Sequence, residues 1–262
     1  MANAYEKIAA ELRASIRSGQ LVPGERLPSE TTLAEQYGRS VPTVRDALRL
    51  LRSEGLIEKQ QGRGNFVRQA RTAVLRSNLR HQWEKNRARE PEAERAATGA
   101  TERDTGLQVG DLVFRAAYRE VEADKEIAEA FGMPQGTGLV ERTYRTRYAA
   151  ERAPFALVTS YLVRDMVAKN PALLDAANEP WPGGTQNQLF TVGIELARIE
   201  ERVTARPPTP EETDELELEP GTAVILLRKT SYDTDDRVVE LSDITLPGDR
   251  TEMTFTTHLE RW

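Results

Sequence analysis

The sequence has no cysteine and only two histidines, His81 and His258, among 262 residues. Disulfides and thiolate metal sites are therefore excluded, and two histidines so far apart offer no metal-ligand spacing. A Ser-His-Asp relay has almost no raw material either. No apolar run approaches the ~20 residues that a membrane span needs. The opening segment, Met1 to Leu12, is mixed and polar and lacks the apolar stretch of a signal peptide. There is no phosphate-cradling P-loop, dinucleotide fingerprint or internal repeat. Together these absences predict a cytoplasmic chain with no membrane partner, no metal and no cofactor.

The charge that is present is unevenly spread. Residues 1–95 hold 18 Lys and Arg against 12 Asp and Glu, while residues 96–262 hold 18 against 30. The net values are +6 and −12, so a basic N-terminal part joined to an acidic body points to a polyanionic partner for the former. The excess is modest, and the motifs have to decide. At 262 residues the chain is long enough for two domains, each with its own core.

Ile8, Leu12 and Ile16 recur at helical spacing, which predicts an amphipathic helix fading near Gly19. Pro23-Gly24 marks a turn. Ser29 is placed to cap a short second helix through Tyr37, with Gly38 at the sharp turn after it. Ser40 is placed to cap a third helix, with Pro42 tolerated in the first turn. Val44, Ala47, Leu48 and Leu51 form the buried stripe of that helix, and Val41, Arg45, Arg49 and Arg52 its opposite face. Gly55 ends it. Two short strands follow, Leu56 to Gln60 and Asn65 to Arg68, joined by the tip Gly62-Arg63-Gly64. A helical arginine face alone is usually a solvated surface, and Gly-Arg-Gly alone is usually a turn. In this order they make a winged helix-turn-helix, with Arg45 placed for guanine in the major groove and Arg63 for phosphate or minor groove.

The run Tyr5-Glu6-Lys7-Ile8-Ala9, Pro23-Gly24-Glu25-Arg26-Leu27-Pro28-Ser29-Glu30, Thr43-Val44-Arg45-Asp46-Ala47-Leu48 and Gly62-Arg63-Gly64-Asn65-Phe66-Val67 resembles the opening domain of GntR-family transcription regulators. The resemblance implies double-stranded operator DNA as partner. It also implies a DNA-binding set of Ser29, Glu30, Thr31, Ser40, Val41, Thr43, Arg45, Arg49, Gly62, Arg63 and Gly64. Thr31 and Val41 depart from the family, which favours Arg at both positions, so the usual family operator is not implied.

Residues 70–106 are rich in Arg, Glu and Ala and sustain no apolar period, which predicts a linker with a frayed helix near Leu79 to Lys85. Beyond it the pattern turns to strands: Leu112–Val121, Leu139–Tyr148, Phe155–Leu162, Ile194–Ala205, Ala223–Tyr232, Arg237–Leu246 and Met253–Leu259. Helices are expected at Lys125–Phe131, Asp165–Ala177 (interrupted at Pro171), Gln186–Thr191 and Pro210–Leu216. The expected class is α+β in two domains. Residues 1–69 form the winged helix-turn-helix, and 107–262 a mostly antiparallel sheet with short helices. Trp83, Trp181 and Trp262 are read as packing residues.

The second half is similar to the effector-binding domain of the HutC branch of GntR regulators, called UTRA, whose fold is like that of chorismate lyase. The likeness rests on Glu141 to Arg147, Pro154, Ser160-Tyr161-Leu162, Gly193, Glu200-Glu201, Ala205-Arg206, Gly221, Glu240 and Asp249-Arg250. It implies that an Arg-x-Arg pair, here Arg145 and Arg147, faces an effector cavity. Spacing of two on a strand puts both guanidinium forks on one face. The bland alternative is a salt-bridged outer face with Glu141 or Glu151. The resemblance adds Glu240 for hydroxyl or amine groups, and Thr185 and Asn187 at a polar helix N-terminus. A second family acid falls at Val158 and a ring-bearing position at Leu246, and both are lost here.

Three functions stand open at this point. One is a regulator, of the repressor kind, that binds its operator as a homodimer and responds to a small anionic metabolite. The second is a DNA-binding dimer without an effector. The third is a lyase-like enzyme, for which no acid–base pair at convincing spacing is found.

Overall fold

The computed structural model describes residues 3–69 and 71–260; Trp262 lies outside the described residues. The chain divides into two compact units. The first runs to Arg71 and includes Pro207–Ala223; the second is Thr72–Arg206 with the chain from Val224 onward.

In the first unit, α1 (Ala4–Arg17), α2 (Glu30–Tyr37) and α3 (Val41–Ser53) precede an antiparallel hairpin of β1 (Ile57–Gln60) and β2 (Gly64–Val67). Both predicted serine caps form: Ser29 Oγ accepts from Thr32 N at 3.0 Å, and Ser40 Oγ from Thr43 N at 3.4 Å. Gly38 ends α2 in the left-handed region, at φ 59°. Ile8, Leu12, Leu33, Val44, Leu48, Leu51, Ile57 and Val67 close one core. Each such side chain contributes about 1.5–3 kcal/mol by leaving water.

The second unit is built on a six-stranded antiparallel sheet. Its strands are β4 (Leu112–Glu122), β5 (Gly138–Tyr148), β6 (Leu157–Val163), β7 (Leu196–Arg206), β8 (Val224–Asp233) and β9 (Val238–Pro247), in the order β4-β5-β6-β9-β8-β7. A separate parallel pair joins β3 (Val74–Ser77) to β10 (Thr251–Thr254). The helices are α4 (Arg80–Arg87), α5 (Glu92–Ala97), α6 (Ala100–Thr105), α7 (Lys125–Phe131), α8 (Arg164–Val167) and α9 (Gly184–Thr191). The last helix, α10 (Pro210–Glu215), lies in the first unit.

Three sequence expectations are corrected. The linker expected over 70–106 is folded: it supplies β3, α4, α5 and α6, and from Thr72 it belongs to the second unit. Its buried anchors are partly ionic, Arg76 and Asp104 beside Val74 and Ala88, so no apolar period announces them. The helix expected over Asp165–Ala177 stops at Val167 and gives way to 3₁₀ turns, Pro171–Leu174 and Ala176–Asn178, because the proline cannot continue the helix. The last strand covers Thr251–Thr254 rather than reaching Leu259.

The register of the sheet decides what reaches each face. Pairing runs Tyr118–Arg142–Ser160–Ser242–Lys229–Glu201 from β4 to β7, one row of side chains on a single face. The next row on that face begins Ala116–Tyr144–Val158–Ile244. Glu141, Thr143, Arg145 and Arg147 alternate with these and point to the other face.

Candidate DNA-reading surface and effector cavity

On α3, Arg45 and Arg49 are exposed, at 53% and 67% of their side chains. Arg45 Nη2 lies 2.9 Å from Glu30 at the start of α2, and Arg49 lies 2.9 Å from Asp46. Such surface pairs hold a side chain in place for about 0–1 kcal/mol, so a guanine edge can displace them. Thr31 is exposed at the first turn of α2, and Ser29 and Ser40 are exposed caps. Thr43 is half-buried, its hydroxyl 2.8 Å from Ser40 Oγ.

Two members of the expected arginine face do other work. Val41 packs against the core of the unit. Arg52 donates from Nη1 to Asn65 Oδ1 at 3.3 Å, tying α3 to β2. The hairpin tip is exposed at Gly62 and Arg63. Gly62 sits at φ +73° and Gly64 at +115°, and a Cβ on Gly64 would stand 3.2 Å from Arg26 Nε. The guanidinium of Arg63 lies 5.5 Å from the centre of the Phe66 ring. A flat arginine-tipped wing beside a capped helix with two exposed arginines is the arrangement needed for one duplex contact in each groove.

In the second unit a cavity opens on the face of the sheet that carries Arg142 and Tyr144, with α4, α6 and the start of α9 contributing its other walls. It has two compartments, of about 250 Å³ and 560 Å³, that share Glu84, Thr101, Tyr144, Thr146, Gly184 and Thr185. The smaller is lined by four basic groups (Arg76, Arg80, His81, Lys229) and three carboxylates (Glu84, Asp104, Glu240), with Val158 and Leu246 among its apolar walls.

These charges form one network. Glu240, 2% exposed, lies 2.9 Å from Lys229 Nζ and 3.5 Å from Arg142 Nη2. It also accepts from Ser231, Ser160 and Ser242 at 3.0–3.1 Å. Burial opposes its ionisation, but Lys229 and Arg142 outweigh burial and hold its pKa at about 2. Arg142 is fully buried and donates to Gln188 Oε1 at 2.7 Å and Ser160 Oγ at 2.8 Å. Arg76 meets Glu201 at 2.8 Å, and Arg80 meets Asp104. His81 Nε2 lies 3.1 Å from Glu201 and Nδ1 3.7 Å from Glu84. Burial alone would lower the His81 pKa; Glu201 and Glu84 reverse that and raise it.

Of the effector residues expected from the sequence, the cavity gathers Thr185 and Glu240. Arg145 and Arg147 are on the opposite face. Arg145 Nη1 donates to the carbonyls of Tyr144 and Val158 at 2.9 and 3.3 Å. Arg147 Nη1 donates to those of Tyr148, Ala149 and Glu151 at 3.2, 3.1 and 2.8 Å. Both brace backbone. The physical reason is parity: the cavity face of β5 carries Arg142, Tyr144 and Thr146, one residue out of step with the expected pair. Asn187 is buried behind the wall, bonded to Trp181 Nε1 and to the Ala88 carbonyl at 2.7 Å each. Sequence reasoning missed Arg76, Arg80, His81, Tyr144, Glu179, Trp181 and Lys229. Only the alternation along β5 could have signalled Tyr144; the rest are brought in from elements whose packing no local pattern records.

Known protein families match both parts of the chain. Residues 4–67 match the family described as "Bacterial regulatory proteins, gntR family", and residues 116–252 match the "UTRA domain". The HTH-type transcriptional repressor NagR of Bacillus subtilis is 26% identical over 267 residues, covering 98% of this chain and 95% of NagR. The histidine utilization repressor of Klebsiella aerogenes is 26% identical over 246 residues, covering 94% and 91%. A crystal structure of a GntR-family transcriptional regulator superposes with a TM-score of 0.64 at 25% identity, covering 98% of both chains. The expectation of a regulator rather than an enzyme is borne out by these relatives. The chain belongs to the GntR family of bacterial transcription regulators, in its HutC branch, with a helix-turn-helix DNA-binding domain followed by a UTRA effector-binding domain.

Proposed function

We propose that this regulator is a repressor that binds a two-fold operator as a symmetric homodimer, and that a small anionic metabolite in the cavity sets its operator affinity. Residues 1–69 read the DNA. Arg45 and Arg49 enter the major groove, and Ser29, Glu30, Thr31, Ser40 and Thr43 orient the two helices on the backbone. Gly62, Arg63 and Gly64 form the wing. One recognition helix and one wing touch too few base pairs for specific regulation, which is the reason to expect a dimer. Residues 107–262 hold the effector and the dimer contact, with α4 and α6 completing the cavity. The names of the relatives above support the repressor direction.

The observation that carries the reading is the smaller compartment, where four basic groups outnumber three carboxylates and Thr185 sits in the first turn of α9. Arg76 and His81 are engaged by Glu201 behind the wall, so an anion arriving there is met chiefly by Lys229 and Arg80, which share their charge between a resident acid and the ligand. It must bind the DNA-bound and free forms unequally, and a difference of about 1–3 kcal/mol changes operator affinity roughly five- to 150-fold.

The test is operator affinity, by fluorescence anisotropy, with and without a panel of small carboxylates and phosphates. Lys229→Met is expected to keep operator binding and lose the response. The double variant Arg145→Ala with Arg147→Ala is expected to keep both. The reverse pattern would move the effector to the outer face of the sheet.

A further inference from the structure

The larger compartment contains a carboxylate whose treatment differs from that of the acids around it. Glu84, Asp104, Glu201 and Glu240 each have a Lys, Arg or His nitrogen within 4 Å. Glu102 and Glu179, which line the larger compartment together, have none among the described residues, and of these two Glu179 is the one fixed by side-chain hydrogen bonds. It is held instead by four neutral donors. Oε1 accepts from Tyr118 Oη, from Tyr144 Oη at 3.1 Å and from Gln188 Nε2 at 3.0 Å; Oε2 accepts only from the backbone N–H of Trp181, at 2.6 Å. A carboxylate has about four lone-pair positions, and three of these contacts fall on one oxygen, so Oε2 keeps acceptor capacity. Arg142 is within electrostatic reach, but its guanidinium is committed to Gln188, Ser160 and Glu240.

The walls around Glu179 are aromatic. Phe114, Tyr144 and Trp181 line the compartment with it, and the rings of Phe114 and Tyr144 stand 5.9 Å apart at 46°. The two arginines of the compartment are bound elsewhere. Arg87 donates to the carbonyls of Arg95 and Thr98, and Arg95 to those of Pro182 and Glu90. Burial, opposed by the charge of Arg142 and helped by that of Glu179, pushes the Tyr144 hydroxyl well above its ordinary pKa, so it stays a donor and fixes the carboxylate. A negative group of set orientation, with one open acceptor position and the aromatic side chains of Phe114 and Trp181 lining the same compartment, is complementary to an organic cation.

We propose that the larger compartment binds an ammonium group of the effector, with Glu179 as its counter-charge and Phe114, Tyr144 and Trp181 as its ring walls. The proposal rests on the reading of this cavity as the effector site, and deepens it. An anionic end at Lys229 and a cationic end at Glu179, joined past Tyr144 and Thr185, make the ligand a zwitterion. The charge network explains why both ends are needed. Every cation of the smaller compartment already has an acid beside it, whereas Glu179 has no cation of its own.

The test uses the full-length protein and three probes of one shape: phenethylammonium, 2-phenylethanol and 3-phenylpropanoate. Affinity is read by calorimetry, and folding of each variant by its unfolding midpoint. Phenethylammonium is expected to bind about tenfold more tightly than the neutral alcohol. Glu179→Gln is expected to erase that preference. Phe114→Leu, which breaks no hydrogen bond, is expected to reduce it severalfold and keeps the test decisive if Glu179→Gln does not fold. An equal preference in folded Glu179→Gln overturns the proposal. So does tight binding of 3-phenylpropanoate with none of the ammonium, although the cavity then remains an effector site. Binding of the ammonium that depends on Glu179 but leaves operator affinity unchanged supports the subsite and removes the regulatory reading. Failure of all three probes to bind overturns both.

Discussion

A guanidinium at the surface and one in the interior answer to different physical terms. Arg45 keeps 53% of its side chain exposed and exchanges one weak carboxylate contact for a base. Arg45→Ala should therefore lose roughly 1–3 kcal/mol at one operator position and relax specificity there. Arg63→Ala should weaken binding evenly across sequences and reduce the salt slope by about one. Anisotropy titrations against operator variants at several salt concentrations separate the two. Inside the second unit the logic inverts. Glu240 is 2% exposed and balances both Lys229 and Arg142. Glu240→Gln leaves two cations facing a neutral amide, and removing one partner from a buried ionic cluster costs about 3–5 kcal/mol. Denaturant unfolding should show that loss. A stability within 1 kcal/mol of the parent (roughly the scale of an exposed pair) would mean that the cluster is solvated.

At the scale of elements, what was legible depended on whether an element announces itself by an apolar period. The boundaries of α2, α3 and α7 follow from caps and stripes, Ser29, Ser40 and Asp124 each accepting from the backbone N–H of the third helical residue. The long strands were legible from their β-branched runs. Residues 72–106 were not, because Arg76 and Asp104 are buried by pairing with Glu201 and Arg80, which lie far off in sequence or carry no apolar signal. The face of β5 was misread for a different reason. With Arg at 142, 145 and 147, the strand offers two parities, and only pairing with Ser160 on β6 selects the face of Arg142. The hairpin β1–β2 gives the element-scale prediction. Gly64 combines φ +115° with a Cβ position 3.2 Å from Arg26. Gly64→Ala should cost about 1–3 kcal/mol of backbone strain and displace the wing. The readouts are the unfolding midpoint and a fall in operator affinity comparable to that of Arg63→Ala. An unchanged wing and stability would show that Arg26 yields and the backbone relaxes.

At the scale of the whole molecule, the cavity network makes stability depend on pH from two sides. Glu84, Glu201 and Glu240 have an ordinary pKa of 4.5 and sit at about 2 in the folded chain. In each, burial opposes the shift and neighbouring cations outweigh it: Arg80 and His81 at Glu84, His81 and Arg76 at Glu201, Lys229 and Arg142 at Glu240. A lowered acid stabilises the fold above its unfolded pKa, so this contribution is complete above pH 4.5 and is lost as pH falls toward 2. His81 has the opposite sign. Its pKa is raised from 6.5 by Glu201 and Glu84 against burial and against Lys229. The stabilisation it supplies is complete below pH 6.5 and disappears as pH rises through its folded pKa. Asp104, raised from 3.8 by burial against Arg80, also loses its part as pH rises, through its own folded pKa; maximal stability is expected between pH 4.5 and 6.5, and the decline above neutrality is assigned to His81. Thermal midpoints measured from pH 4 to 9 (roughly the span of the two titrations) should fall above neutrality in the parent protein. In His81→Gln the alkaline decline should be absent and the acid limb smaller, because Glu84 and Glu201 lose one of the groups that lower them while Glu240 keeps both of its cations. An alkaline decline of equal size in the two proteins would mean that His81 is neutral in the fold and that Glu201 is held by Arg76 alone.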